Sequence, residues 1–199
     1  MIYFDHSATT PIHPKVAEKI DYINREHYAN PSSIYTQGRK AKSLIEKARN
    51  QVADAIGAKV EQIFFTSGGT EANNQVLWTK AEDKKKHIIV SSIEHPAILK
   101  VLKKIEPHGV TASLLPVNTE GTVEIDSITD LIHEDTGLIS IMLANNEVGT
   151  IQPIQEIVKI TRSLNIPFHT DAVQALGKIP VDVNSLGVEF LSLSAHKFY

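Results

Sequence analysis

Short, nearly continuous apolar runs alternate along this chain with longer stretches in which apolar residues recur every three to four positions. The runs at 63–66, 87–92, 112–117, 138–143, 167–170 and 190–194 predict strands. Several are aliphatic or β-branched throughout, as expected for strands covered on both faces. The periodic stretches at 14–27, 39–56, 71–80, 96–105, 125–133 and 154–164 predict helices. The stretch 39–56 is the clearest, with Ala41, Leu44, Ile45, Ala48, Val52 and Ile56 on one stripe and Gly57 as a stop. Strands alternating with helices predict an α/β fold built on a mostly parallel sheet.

Composition narrows the class further. The 199 residues carry a formal net charge of −3, with 42% hydrophobic and 22% charged residues, as in an ordinary globular domain. That balance gives no reason to expect nucleic acid or an anionic membrane as partner. No apolar run approaches the roughly 20 residues that span a bilayer, and the N-terminus does not read as a signal peptide. The expected location is therefore cytoplasmic. Lys84, Lys85 and Lys86, beside Glu82 and Asp83, read as a solvated turn. There is no cysteine, so neither a disulfide nor a thiolate metal site lies within the chain.

In sheets of this kind ligands bind at the carboxyl ends of the strands, which directs attention to the residues after each run. After the first comes Thr66-Ser67-Gly68-Gly69-Thr70-Glu71. Its glycines allow close backbone approach, and the helix that follows turns free N–H groups toward an anion, so the turn suits a phosphate. A capped helix start reads equally well, and no Gly-Lys-Ser/Thr follows to make a Walker loop. After the second run His95 precedes Pro96, a residue suited to the first helical position; its ring suits stacking on a flat ligand, or a backbone bond. After the fourth come Asn145 and Asn146, able to orient a polar ligand or simply to make a turn. After the fifth comes Asp171, a carboxylate that needs a cation or strong donors if buried. A protonated pyridine nitrogen, a metal ion shared with His169, or the cap of a following helix would each serve. The last run leads to Ser194, Ala195, His196 and Lys197, and a lysine in a polar pocket can form a Schiff base. Together these residues supply what pyridoxal phosphate (PLP) requires: a phosphate cradle, a stacking ring, a carboxylate for a ring nitrogen and an amine for an aldehyde.

The residues 3–10, 30–33, 66–71, Glu94-His95, 144–153, 169–174 and 194–197, in this order and spacing, resemble cysteine desulfurases of the NifS/IscS type in the class V aminotransferase group. The resemblance runs from end to end of the chain. It implies the large-domain portion of a PLP-dependent fold-type I transferase, with the C-terminal small domain outside this sequence. The expected organisation is an N-terminal segment at 1–15 and a PLP-binding domain at 16–199. The resemblance further implies that Lys197 carries the Schiff base to PLP and shuttles the substrate α-proton, while His95 stacks on the ring. Asp171 would pair with the ring nitrogen. Gln174 and Asn146 would bond the ring oxygen or the substrate side, and Gly69, Thr70, Ser194 and His196 would hold the phosphate. The implied reaction takes sulfur from L-cysteine, leaving L-alanine, and passes it through a protein cysteine persulfide to an acceptor such as an iron–sulfur scaffold. The implied assembly is a homodimer.

In that family the nucleophilic cysteine and the arginine for the substrate carboxylate lie beyond the residue corresponding to Tyr199. This chain alone is therefore expected to be inactive, and the strand at 190–194 to leave an apolar edge open to association. The alternatives are a selenocysteine lyase-like PLP enzyme, a non-catalytic fragment or scaffold, and a metal hydrolase using His95, His169, Asp171 and His196.

Overall fold

The computed structural model describes residues 2–199. They form two compact units. One runs to Phe65 and takes in His196–Tyr199; the other is Thr66–Ala195.

The first unit carries α1 (Pro14–Glu26) and α2 (Thr36–Ile56). Pro14 opens α1 where its missing N–H costs nothing, and His13 caps it, Nδ1 accepting from the Lys15 N–H at 3.2 Å. α2 stops at Gly57, whose φ of 69° is the left-handed conformation that suits glycine at a helix end. α2 begins three residues before the periodic pattern does, and Gly38 explains how. A Cβ there would lie 2.4 Å from the Ser33 carbonyl oxygen and 2.8 Å from that of Asn30, so only glycine lets the helix start against this turn. The predicted strand at 63–66 does not form. Among the described residues this segment has no ladder partner; instead the Arg49 guanidinium donates to the Ile63 carbonyl and lies over the Phe65 ring at 5.0 Å.

The second unit is an α/β layer structure. Its elements are α3 (Gly69–Trp78), β1 (His87–Ser91), α4 (Pro96–Ile105), β2 (Thr111–Leu115), α5 (Ile128–Leu131), β3 (Thr136–Ser140), α6 (Ile154–Ser163), β4 (Phe168–Asp171), α7 (Val183–Leu186) and β5 (Phe190–Ser192). The strands form one sheet in the order β2-β1-β3-β4-β5, with every pairing parallel. The chain reverses its direction of growth between β1 and β3, the switch point beside which such sheets bind ligands. Ile88 and Val90 point to one face of β1 and pack with Leu77, Ile98, Val101, Leu102, Ile105 and Leu138, joining α3 and α4 to the sheet. Ile89 points the other way and is equally buried, so β1 is covered on both faces.

The predicted helix at 125–133 is shorter: a 3-10 turn at Ile125–Ser127 leads into α5, and the chain is extended again at Ile132. The apolar run 138–143 outlasts β3, because Ile141 and Leu143 continue to donate to the carbonyls of His169 and Asp171 at 3.1 and 2.9 Å. Lys86 is not a solvated turn residue: its ammonium donates to the carbonyls of Ala81 and His108 at 2.9 and 2.8 Å. β5 lies at one edge of the sheet with β4 as its neighbour, and Phe190 there is partly exposed.

Candidate cofactor site

Four strand ends and the start of α3 carry the candidate residues of the second unit. Gly68 precedes α3, and Gly69 and Thr70 form its first turn. N–H groups of a first turn have no partner within the helix, and the helix dipole adds positive character there. A Cβ on Gly68 would meet nothing within 4 Å, whereas one on Gly69 would lie 2.9 Å from Val173 Cγ2 and 3.4 Å from Ser194 Cβ. Gly69 thus sits tightly against Val173 in the turn after β4 and close to Ser194 beyond β5, while Gly68 faces open space. Glu71 occupies the same helix start, and the Ser67 hydroxyl together with the Ser67 N–H, which donates to it at 2.6 Å, holds its carboxyl below the usual range.

After β1, His95 caps α4: Nδ1 accepts from the Ala97 N–H at 3.1 Å, so a neutral ring carries its proton on Nε2. His95 is exposed, unlike its neighbour Glu94, which is buried. After β3 the two asparagines divide the work. Asn145 is buried and builds the turn, Oδ1 accepting from the N–H groups of Glu147 and Val148 at 2.8 and 3.0 Å. Asn146 is half-buried and donates to Glu147 Oε1 at 2.7 Å.

Asp171 ends β4 and is buried. Its Oδ1 accepts from the Val173 N–H at 3.0 Å, but the residues that follow form a turn and not the helix the sequence suggested it would cap. Its Oδ2 accepts from Asn73 Nδ2 at 2.7 Å, a partner sequence reasoning missed although Asn73 lies only four residues after Gly69. Gln174 lies on the same turn and accepts from Lys178 Nζ at 2.6 Å. His169 is committed elsewhere. Its ring nitrogens meet the hydroxyls of Ser140 and Ser192 at 2.8 and 2.9 Å, and burial pushes its pKa down to about 3. A neutral ring bonded at both nitrogens ties three strands together and is not disposed to hold a metal. Ser194, just past β5, is buried.

His196 and Lys197 belong to the first unit. The His196 ring approaches Thr9 Oγ1 at 3.1 Å, its carbonyl accepts from Thr10, and burial followed by the Lys197 charge lowers its pKa. Lys197 Nζ donates to the backbone carbonyls of Ser7 and Ala8.

Residues 2–199 match the family model described as aminotransferase class-V. The chain belongs to the class-V aminotransferase family. A cysteine desulfurase IscS from Dictyoglomus turgidum is 50% identical over 201 residues, which cover 100% of this chain and 51% of that protein. The solved structure of a NifS-like protein superposes with a TM-score of 0.95 at 42% identity, covering 99% of this chain and 55% of that one. SspA in complex with cysteine gives a TM-score of 0.93 at 37% identity over 99% of this chain and 58% of that one. The chain therefore spans about half the length of the curated relatives it matches.

Class-V aminotransferases use PLP, and the second unit fits that group on its own geometry. A buried carboxylate held by two N–H donors suits a pyridinium nitrogen. A helix start whose glycine is packed against Ser194 suits a phosphate. No helix among the described residues is long and apolar enough to cross a membrane.

Proposed function

We propose that this chain is the PLP-binding part of a cysteine desulfurase. The observation that carries the proposal is the buried Asp171 carboxylate, oriented at a strand end by Asn73 and the Val173 N–H. Asp171 would accept the ring-nitrogen hydrogen bond and keep that nitrogen protonated. His95 would stack on the ring with Nε2–H outward, and Gln174 and Asn146 would orient the ring oxygen and the substrate. The first-turn N–H groups of Gly69 and Thr70, with Ser194 and His196, would hold the phosphate. When bound, PLP supplies an electron sink for the substrate α-carbon.

Lys197 would hold the cofactor through its ε-amine and, once the substrate amine replaces it, move the α-proton. The net reaction converts L-cysteine and a protein thiol into L-alanine and a protein persulfide. The 199 residues contain no cysteine, so that thiol has to come from outside them. The persulfide sulfur would pass to an acceptor such as an iron–sulfur scaffold, from a homodimeric enzyme. The same absence of cysteine favours the second reading, a non-catalytic segment that keeps only the fold.

Borohydride reduction after incubation with PLP, followed by peptide mapping, tests the proposal. The expected result is one adduct on Lys197, lost in Lys197→Ala, together with release of alanine from cysteine by the whole protein. An adduct on another lysine, or none in folded protein, overturns the cofactor assignment. A Lys197 adduct without cysteine turnover by the whole protein favours the second reading.

A further inference from the structure

Glu94 is a buried acid that the proposed chemistry does not use. It is 4% exposed, and none of the ion pairs among the described residues includes it. Its Oε1 accepts from the Ser91 hydroxyl at 2.6 Å and from the Met142 N–H at 2.8 Å. Its Oε2 is buried with no hydrogen-bond partner. Ser91 is the last residue of β1, and Met142 lies just beyond β3. One carboxyl oxygen therefore ties together the two strand ends that flank the switch point of the sheet. A second tie runs alongside, Asn145 Nδ2 donating to the Ile93 carbonyl at 3.1 Å. The segments so joined carry His95 and Asn146. On its other side His95 is fixed by the cap it makes with Ala97.

We propose that Glu94 is a positioning residue, whose Oε1 clamps the end of β1 to the segment leaving β3 and so sets where His95 and Asn146 face the cofactor. This rests on the PLP reading above for the identity of the ligand, but not for the clamp. The two bonds it accepts favour the anion, but burial outweighs them and, with the negative charge of Asp171, pushes its pKa up to about 8. At neutral pH it is an acid, with the proton on Oε2 because Oε1 accepts two bonds. A neutral Glu94 places no second negative charge beside Asp171.

The test uses the whole protein, first without cofactor. Subtracting the infrared spectrum of Glu94→Gln from that of the wild type at neutral pH should leave a carboxylic-acid C=O band. The His95 signal in histidine-labelled protein, assigned with His95→Gln, should stay in place in Glu94→Gln, which keeps the acceptor. It should move in Glu94→Ala, and to a smaller extent in Ser91→Ala, which removes one donor. PLP affinity should fall about tenfold or more in Glu94→Ala and change less than about threefold in Glu94→Gln. The clamp is overturned if Gln behaves as Ala, or if Ala moves neither reading; an absent acid band overturns the neutral state of Glu94. If Glu94→Ala does not fold, a His95 signal unmoved in Glu94→Gln and moved in Ser91→Ala supports the clamp, and any other pattern overturns it. Wild type that binds no PLP, with the band and histidine shifts intact, would sink the cofactor reading and leave the clamp standing.

Discussion

Asn73 Nδ2 donates to Asp171 Oδ2 at 2.7 Å, joining the first turns of α3 to the end of β4 across 98 residues of sequence. Both side chains are buried, so the bond is made away from competing water. It helps to fix the plane of the carboxylate.

Removing that donor should be felt in two ways. Asn73→Ala is expected to cost about 2 kcal/mol, the usual value of a buried hydrogen bond to a charged group, read as a lower midpoint in urea unfolding. It should also weaken PLP binding, followed by the visible absorbance of the bound cofactor.

Gly38 tests the close approach that starts α2. Ala at this position would place its Cβ 2.4 Å from the Ser33 carbonyl oxygen, which is backbone and cannot swing aside. Gly38→Ala should therefore destabilise by about 1–3 kcal/mol despite alanine's better helix propensity. Unfolding followed by circular dichroism measures it, and an unchanged or raised stability would refute the packing argument.

Two buried groups should bend the pH profile of stability in opposite directions. His169 has a pKa pushed down from 6.5 to about 3, so its contribution is whole above 6.5 and is lost as pH falls toward 3. Glu94 has a pKa pushed up from 4.5 to about 8, so its contribution is whole below 4.5 and is lost as pH rises toward 8. The slopes oppose each other between 4.5 and 6.5, giving a flat top with falls on either side. Glu94→Gln should remove the alkaline fall and His169→Asn much of the acid one. Each slope is at most roughly 1.4 kcal/mol per pH unit, and denaturant titrations from acid to mild alkali would show them.

Asn145→Ala should loosen the turn that presents Asn146. It removes acceptors for the N–H groups of Glu147 and Val148 and the donor to Ile93. A stability loss of about 1–3 kcal/mol is expected, with faster amide hydrogen exchange at 146–149 than in the adjoining sheet.

The elements most legible in the sequence were those whose stop and start signals are local. His-Pro opens both α1 and α4, and Gly57 closes α2, because a cap or a left-handed glycine acts within a few residues. The segment 63–66 misled, since an apolar run becomes a strand only when another strand pairs with it. The two asparagines after β3 read alike, yet one is buried turn scaffolding and the other is not. That difference depends on Ile93, 52 residues away from Asn145.

By itself the sequence determined the α/β class, the order of the strands and of every helix but α7 in the second unit, and the residue types at the strand ends. Periodicity and residue type carry that information, and both are local. Tertiary structure alone decided that the strands pair in the order β2-β1-β3-β4-β5, that Asn73 serves Asp171, and that Glu94 is a buried acid joining two strand ends. Those facts depend on which side chains are brought together and shut away from water. A polar residue's role changes from solvated to structural only when folding removes the water that would otherwise satisfy it.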